Sequence, residues 1–440
     1  MKRITALILT VLTVSALAAS CAIRPADMQP ASSGGVVTNA DTTAETAAEK
    51  PAIPGPSNLE NKFDGFDFDL MNYVEQKLGD KSYMISPLSL KYALGMLLAG
   101  ADGQTLKQLM SAVGIDSVSE LEDLIKSFNG FEGCFNEAVR KYSETYNALT
   151  DEQKQYYDEP SGALRVADSI WKRNDIPDFL QGYKDAVSSY YAEYRDFTIE
   201  KVIADVNAWA NEKTEGMIPK LLPDNYDTSN LAVILMNALY YKNAWAKEFF
   251  EIPDREFTTV SNQKVNKKFI SSTEHYRYYS DEKTTLVAVP MKNGVDMIFV
   301  LGSAENLTEK LSKAVQRRVR VIIPEFETET SLSDGELVDF LKERGATDAF
   351  TENIADFSRM FDPETKKVYV DDIVQKTKIK LDKTGVEAAA VTAIICRDEA
   401  AEEDDPVDFI ADKPFRYFIM TGKTEWAAEG MVMFEGRLTE

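Results

Sequence analysis

Apolar residues recur along the first part of the chain at the spacing of helices. Between residues 63 and 77 they stand three or four positions apart, which places them on one face of a predicted helix. Residues 90–98 are nearly all apolar, so the helix predicted there is buried on every side. Ser86 and Pro87 precede it, and both favour the start of a helix. Helical patterns continue to about residue 158.

The spacing then changes to that of strands. Runs of β-branched and aromatic residues predict strands over 164–171, 231–241, 284–291, 296–301 and 318–323. A further helix is predicted over 335–344, and alternating apolar positions predict a strand within 366–382. Long strands mixed with helices, without a regular β-α-β order and without an internal repeat, predict an α+β fold with large antiparallel or mixed sheets.

The first twenty residues have the pattern of a secretory signal peptide. Lys2 and Arg3 precede an uncharged apolar stretch over 4–19, which is short for a membrane span and ends in small residues. Small residues directly before Cys21 resemble a bacterial lipobox. The sequence therefore predicts that residues 1–20 are removed and that Cys21 becomes a lipid-modified N-terminus. An ordinary cleaved signal with an incidental cysteine is the alternative.

Residues 21–57 are rich in Ala, Ser, Thr, Pro and Gly and have almost no large apolar side chains. Such a segment cannot bury enough apolar surface to fold on its own, so it is predicted to be a flexible linker. A linker after a lipid anchor suits a domain held at a cell surface. The predicted location is therefore extracellular or cell-surface, either anchored or secreted.

Composition narrows the classes of partner. The 440 residues include 49 Lys+Arg and 72 Asp+Glu, so the formal net charge is −23, and 44% of residues are hydrophobic. The apolar content is sufficient for a large core. The negative charge argues against nucleic acid, whose binding needs clustered Lys and Arg, and against electrostatic docking on anionic lipid. Membrane contact is thus expected only through a lipid on Cys21.

The single histidine limits the chemistry that the chain can perform. His275 lies in a segment without a GxSxG nucleophile motif, and it is predicted to be a solvent-facing strand residue. No CxxC, phosphate-binding or calcium-loop motif is present, so no metal and no cofactor is expected. The spacing of Cys134 and Cys396 gives no reason to pair them. The chain is predicted not to be an enzyme.

Six short blocks occur in the same order, and at similar separations, as in the serpins. They cover 86–89 with 100–105, 207–209 with 214–216, 236–241 followed by Trp245, 323–326 with 355–358, 385–392, and 411–415 with 434–437. Each block alone is a weak signal, but six together are specific. Over residues 58–440 the chain resembles this family of protease inhibitors.

The resemblance implies a serpin domain with three β-sheets, eight to nine helices and an exposed C-terminal reactive loop over about 383–408. It also implies a mechanism. A target serine or cysteine protease cleaves the loop and becomes covalently attached, and the loop then inserts into the main sheet and traps the enzyme. Such a native state is held by a kinetic barrier. The protein is expected to be a monomer.

The loop sequence independently favours insertion, because a strand that enters a sheet buries alternate residues. One set of alternate positions is uncharged: Val386, Ala388, Ala390, Thr392, Ile394 and Cys396. The other set carries the charges: Glu387, Ala389, Val391, Ala393, Ile395 and Arg397. Asp398 places the first charge on the buried face, so insertion is predicted to end near Arg397. The hinge is assigned to Gly385, Val386, Glu387, Ala388, Ala389, Ala390, Val391 and Thr392.

The position of the cleaved bond is less sharply defined. Family spacing, counted from Gly385, implies cleavage between Glu399 and Ala400. Counting back from the C-terminal block points near Glu403, and Arg397 would suit a trypsin-like protease. All three positions remain open at this point.

The resemblance also implies a buried cluster that controls the opening of the main sheet. Ser86, Ser89 and Asn237 match it, whereas Gln375 stands where the family has histidine. Lys383 stands where the family has a glutamate before the hinge, and this change could remove an ion pair. Arg416 stands where the family has an apolar residue, and the apolar stem of Arg416 could be buried while its charged end reaches water. These departures leave a non-inhibitory binding or structural member of the family as the alternative function.

Overall fold

The computed structural model describes residues 64–190, 192–229, 231–362, 364, 368–386, 405–422 and 430–440. The predicted signal peptide, Cys21 and the linker lie outside the described residues. Nine α-helices occur within them: α1 (Asp64–Leu78), α2 (Pro87–Gly100), α3 (Gly103–Val113), α4 (Val118–Asn147), α5 (Asp151–Lys154), α6 (Gln181–Ser189), α7 (Val202–Lys213), α8 (Leu307–Lys313) and α9 (Glu336–Glu343).

The same residues form fifteen strands. They are β1 (Tyr83–Ile85), β2 (Ala163–Arg173), β3 (Glu193–Phe197), β4 (Val233–Ala244), β5 (Phe250–Thr258), β6 (Lys264–Ser280), β7 (Thr284–Met291), β8 (Val295–Gly302), β9 (Val315–Pro324), β10 (Phe326–Leu332), β11 (Asp372–Asp382), β12 (Gly385–Val386), β13 (Val407–Ile410), β14 (Phe415–Thr421) and β15 (Val432–Leu438).

The strands pair into two mixed sheets. One has six strands in the order β10-β11-β12-β4-β2-β3. The other has nine, in the order β1-β15-β14-β8-β7-β6-β9-β13, with β5 added against β6. Strand β6 is 17 residues long and pairs with β5, β7 and β9, so it joins two smaller sheets into one. Two of the three predicted sheets are therefore joined into one continuous sheet.

Helix α2 lies in the core, as its apolar sequence predicts. Ser86 caps it, because the hydroxyl of Ser86 accepts the Ser89 backbone N–H at 3.1 Å. Pro87 occupies the first turn, where a backbone N–H has no partner within the helix, so the missing N–H of proline costs nothing there. The helix packs against α4, β4 and β15. It thereby connects the two sheets at the position where the six-stranded sheet is incompletely paired.

Most predicted elements agree with the structure within a few residues. The predicted strand over 284–291 coincides with β7, and His275 is an exposed residue of β6, as expected. The segment predicted as a strand within 366–382 forms a strand only from Asp372 onwards. Before that point the backbone N–H of Val370 donates to the Ala349 carbonyl instead of to a neighbouring strand. None of the described helices combines the length and apolar composition needed to cross a bilayer.

Candidate functional site: the hinge and the opening cluster

Strands β11 and β4 run parallel to each other but pair only at one end. Their contact consists of four pairs, from Asp372 with Ile234 to Gln375 with Asn237, and we call it the four-pair contact. Among the described residues, the next part of each strand has no partner in the other. At the far end, β12 lies between them and pairs with both. The sheet is thus joined at its two ends and unpaired between β4 and β11 in the middle.

The two residues of β12 begin the predicted hinge. Val386 is only 2% exposed and lies opposite Leu381 of β11 and Asn243 of β4. Gly385 has a φ of 144°, and a Cβ atom there would lie 2.2 Å from the Asn243 carbonyl oxygen. No other residue fits such a close approach of two backbones, so the structure gives a physical reason for glycine at this position.

The four residues of the predicted opening cluster, Ser86, Ser89, Asn237 and Gln375, do come together, at the inner end of the four-pair contact. The Gln375 side chain makes two reciprocal bonds with the Ser86 backbone: Nε2 donates to the carbonyl at 2.8 Å and Oε1 accepts the N–H at 2.8 Å. The Ser86 hydroxyl donates to the Met433 carbonyl at 2.7 Å. A neutral amide therefore connects β11 to the start of α2 without any titratable group.

A fifth residue, Asp168 of β2, belongs to this cluster and was not predicted. Asn237 donates its Nδ2 hydrogens to the Asp168 carboxyl group and, at 3.5 Å, to the Ser89 carbonyl. Asp168 is 3% exposed, and burial, together with nearby Glu132, raises its pKa well above the ordinary value. The protonated form is therefore favoured at this position. Asp168 lies directly opposite Asn237 in the β2–β4 pairing. The sequence does not show which strands pair, so it could not predict this contact.

The outer end of the four-pair contact also holds a buried acid. The backbone N–H of Ile373 donates to one oxygen of Asp372 at 2.8 Å, and the Tyr226 hydroxyl donates to the other at 2.9 Å. Burial raises the pKa of Asp372 to about 7, and the negative charges of Glu336 and Asp334 act in the same direction. The two ends of this contact thus each carry a carboxyl group that resists ionisation.

We expect the native state to lose stability as pH rises from about 5 to 8. A group whose pKa is higher in the folded than in the unfolded chain binds its proton more tightly when folded, so its stabilising effect is lost on deprotonation. For Asp372 the loss should be on the order of 3 kcal/mol. Urea-unfolding midpoints across this pH range would measure it. The Asp372→Asn variant should show a flatter profile, and an unchanged slope would contradict the assignment.

Lys383 and Arg416 each form an ion pair that the sequence did not predict. Lys383 does not leave the hinge without an ion pair, because its Nζ lies 2.6 Å from Oε1 of Glu251 on β5. Both side chains are well exposed, so water and salt screen this pair and it contributes little to stability. Arg416 does not snorkel: its guanidinium donates two bonds, each of 2.7 Å, to the carboxylate of Glu75 on α1.

The remaining predicted site residues lie outside the described residues. They comprise the later hinge residues Glu387, Ala388, Ala389, Ala390, Val391 and Thr392, and the candidate cleavage positions Arg397, Glu399, Ala400 and Glu403. Of the cysteines, Cys134 is buried on α4, and Cys396 is not described.

Comparison with known proteins identifies the family. A family model described as serpin (serine protease inhibitor) matches residues 61–440. Serpin B6 of Bos taurus is 28% identical over 390 residues, covering 82% of this chain and 95% of that protein. The leukocyte elastase inhibitor of Xenopus laevis is 25% identical over 411 residues, covering 86% and 98%. The native structure of the thermophilic serpin tengpin aligns with a TM-score of 0.71 at 24% identity, covering 89% and 97%.

The chain therefore belongs to the serpin family, most of whose members inhibit proteases, and the predicted α+β serpin fold is confirmed.

Proposed function

We propose that this protein inhibits a protease by acting as its suicide substrate. The observation that supports this most directly is β12, because Gly385 and Val386 already occupy the space between β11 and β4. Beyond them the two strands are not paired with each other until the four-pair contact. A sheet with such an opening can accept more of the same segment as a new strand, through backbone hydrogen bonds on both sides.

The pairing of β12 defines how far insertion can proceed before the sheet must open. If β12 continues in its present register, Thr392 comes opposite both Asn237 and Gln375. Residues up to 391 can enter the unpaired part of the sheet, whereas Thr392 and later residues require the four-pair contact to separate. The opening cluster lies where that separation begins, which supports a role for it in controlling insertion.

The same register supports the predicted end of the inserting segment. Strand β11 begins at Asp372, which would face Ile395, and β4 begins at Val233, which would face Cys396. The sheet is therefore long enough for the segment to about Cys396. The sequence pattern independently ends the insertable segment near Arg397. Two unrelated arguments, one from strand length and one from charge, thus favour cleavage at or beyond this point.

We propose that the target protease cleaves the bond between Glu399 and Ala400. The bonds that follow Arg397 and Glu403 are the alternatives. The nucleophile of a serine or cysteine protease attacks the Glu399 carbonyl carbon, the amide bond breaks, and the Ala400 nitrogen leaves with a proton. The loop remains attached to the protease as an ester or thioester while it inserts. Hydrolysis of that bond before insertion would release active protease and cleaved inhibitor.

We further propose that the domain acts as a monomer outside the cell, held at the surface by lipid on Cys21 or secreted. The signal-like residues 1–20 and the linker composition over 21–57 support this location. Metabolic labelling with a radioactive fatty acid, compared with the Cys21→Ser variant, would test the anchor. Label on the unmodified chain alone is expected.

The test of the proposed function is the formation of a covalent complex. We expect at least one of an elastase-like, a trypsin-like, a subtilisin-like and a Glu-specific protease to form an adduct that survives SDS electrophoresis. Mass spectrometry of the released C-terminal peptide should show a first residue between Asp398 and Asp404. If every protease only nicks the loop and remains active, the protein is a non-inhibitory member of the family.

A further inference from the structure

A polar pocket of about 360 Å³ lies beside the nine-stranded sheet. Three parts of the chain line it: the turn between β5 and β6 with the first part of β6, the loop after α1, and the residues that follow β15. None of its residues belongs to the hinge or to the opening cluster. An apolar cavity of about 150 Å³ holds a benzene molecule, so this pocket has room for a ligand of roughly a dozen heavy atoms.

Hydrogen bonds hold the walls of this pocket together. The Oγ1 atom of Thr439 donates to the Asp80 carbonyl at 2.6 Å, and the Thr439 carbonyl accepts the Val260 N–H at 3.0 Å. Within the turn, the Oγ1 atom of Thr259 accepts the backbone N–H of Gln263 at 3.1 Å. The three parts of the chain are thus fixed relative to one another, so little order has to be gained when a ligand binds.

Lys267 supplies a cation to the pocket without a matching anion. Its side chain is half-buried, and its Nζ lies 5.5 Å from the centre of the Phe257 ring. Within the described residues Lys267 makes no hydrogen bond and no ion pair. Burial lowers the pKa of Lys267, and the negative charge of Glu440 opposes that shift. A partly desolvated ammonium group costs free energy, which an anionic group of a ligand would offset.

The same pocket contains two carboxylates and two side-chain amides. Asp80 and Glu440 provide the carboxylates, and neither makes a side-chain hydrogen bond or ion pair in the part of the chain that the structure describes. The amides of Gln263 and Asn266 are likewise not used in contacts between described residues. The pocket therefore offers charges of both signs, together with neutral donors and acceptors, to a ligand.

We propose that this pocket binds a small zwitterion of the size of a dipeptide. The carboxylate of the ligand would accept hydrogen bonds from Nζ of Lys267, and its ammonium group would donate to Asp80 and Glu440. The peptide group between them would bond to the amides of Gln263 and Asn266. A simple anion fits less well because the two acids repel it, and a simple cation fits less well because Lys267 repels it.

Calorimetric titration of the full chain with the dipeptide alanylalanine tests the proposal. Two blocked forms of the dipeptide are the controls, since N-acetylation removes its positive charge and C-terminal amidation removes its negative charge. We expect saturable binding of the free dipeptide and at least about tenfold weaker binding of each blocked form. Absence of saturable binding, or a blocked form that binds as tightly as the free dipeptide, would overturn the proposal.

Variants locate the site. Lys267→Gln should weaken binding of alanylalanine at least about tenfold, because the ligand carboxylate loses its ionic partner. Lys268→Gln is the matched control: it removes the same charge from the next residue of β6, which is exposed and lies outside the pocket. Its affinity should be unchanged. Unchanged affinity in Lys267→Gln would contradict the assignment. Because these measurements need no protease, they succeed or fail independently of the proposed inhibitory function.

Discussion

Replacing Val386 with arginine is expected to convert the protein from an inhibitor that traps its protease into a substrate that is cleaved and released. Val386 is the first hinge side chain buried between β11 and β4. An arginine there would bury a guanidinium in a space that now holds an apolar side chain, at a cost of several kcal/mol. The arginine should therefore keep β12 out of the sheet before cleavage, so that its burial is added to the barrier to insertion. Each 1.4 kcal/mol added to that barrier slows insertion about tenfold, whereas hydrolysis of the acyl-enzyme is unaffected.

The measurement is the number of inhibitor molecules consumed per protease molecule inactivated. For Val386→Arg we expect this ratio to rise at least about tenfold and the SDS-stable adduct to be replaced by cleaved inhibitor. Val386→Ala is the matched control, since a small apolar side chain still fits the buried position and should preserve trapping. If Val386→Arg inhibits as efficiently as the unmodified chain, the hinge assignment is wrong.

Replacing Gln375 with leucine is expected to destabilise the native state strongly. The change removes both hydrogen bonds to the Ser86 backbone and leaves a buried N–H and a buried carbonyl without these partners. Each unsatisfied group costs about 1–3 kcal/mol, so the loss should be about 2–6 kcal/mol. The released end of the four-pair contact should also let the sheet open spontaneously, so inhibitory activity should decay faster on warming.

Urea-unfolding midpoints and the half-life of inhibitory activity at raised temperature would measure these effects. The control is Gln316→Leu, the same substitution at an exposed position of β9, which should change stability by less than about 0.5 kcal/mol. Gln375→His should retain much of the stability above pH 7 and lose it on acidification, because protonated imidazole cannot accept the Ser86 N–H. Stability equal to the unmodified chain in Gln375→Leu would show that these bonds are unimportant.

Local patterns were sufficient to predict much of this fold. Apolar spacing and the Ser86-Pro87 cap identified α2, and a compact run of β-branched residues identified β7. The charge-free face of the hinge is also predicted from alternation alone, since strand periodicity does not depend on which strand is the partner, and beyond Val386 it stays a prediction. These features are encoded within one element each, so the sequence of that element is enough to predict them.

Other parts of the site depend on partners that are far apart in sequence. Asp168 contacts Asn237 across 69 positions, and Arg416 contacts Glu75 across 341. A charged side chain in an otherwise apolar strand normally indicates a solvent-facing position, and only the partner makes its burial tolerable. Strand β12 has only two residues, too few for any pattern to predict that the hinge already lies in the sheet.

The placement of Gly385 and Val386 also changes the kinetic character of insertion. A free loop would have to find the sheet and fix its first residues before any gain, which is a nucleation step with an entropic cost. In the proposed mechanism nucleation would precede cleavage, and the cut loop would only have to elongate an existing strand. Whether the loop inserts before the acyl-enzyme hydrolyses would then depend on how fast the four residue pairs separate, and not on the length of the loop.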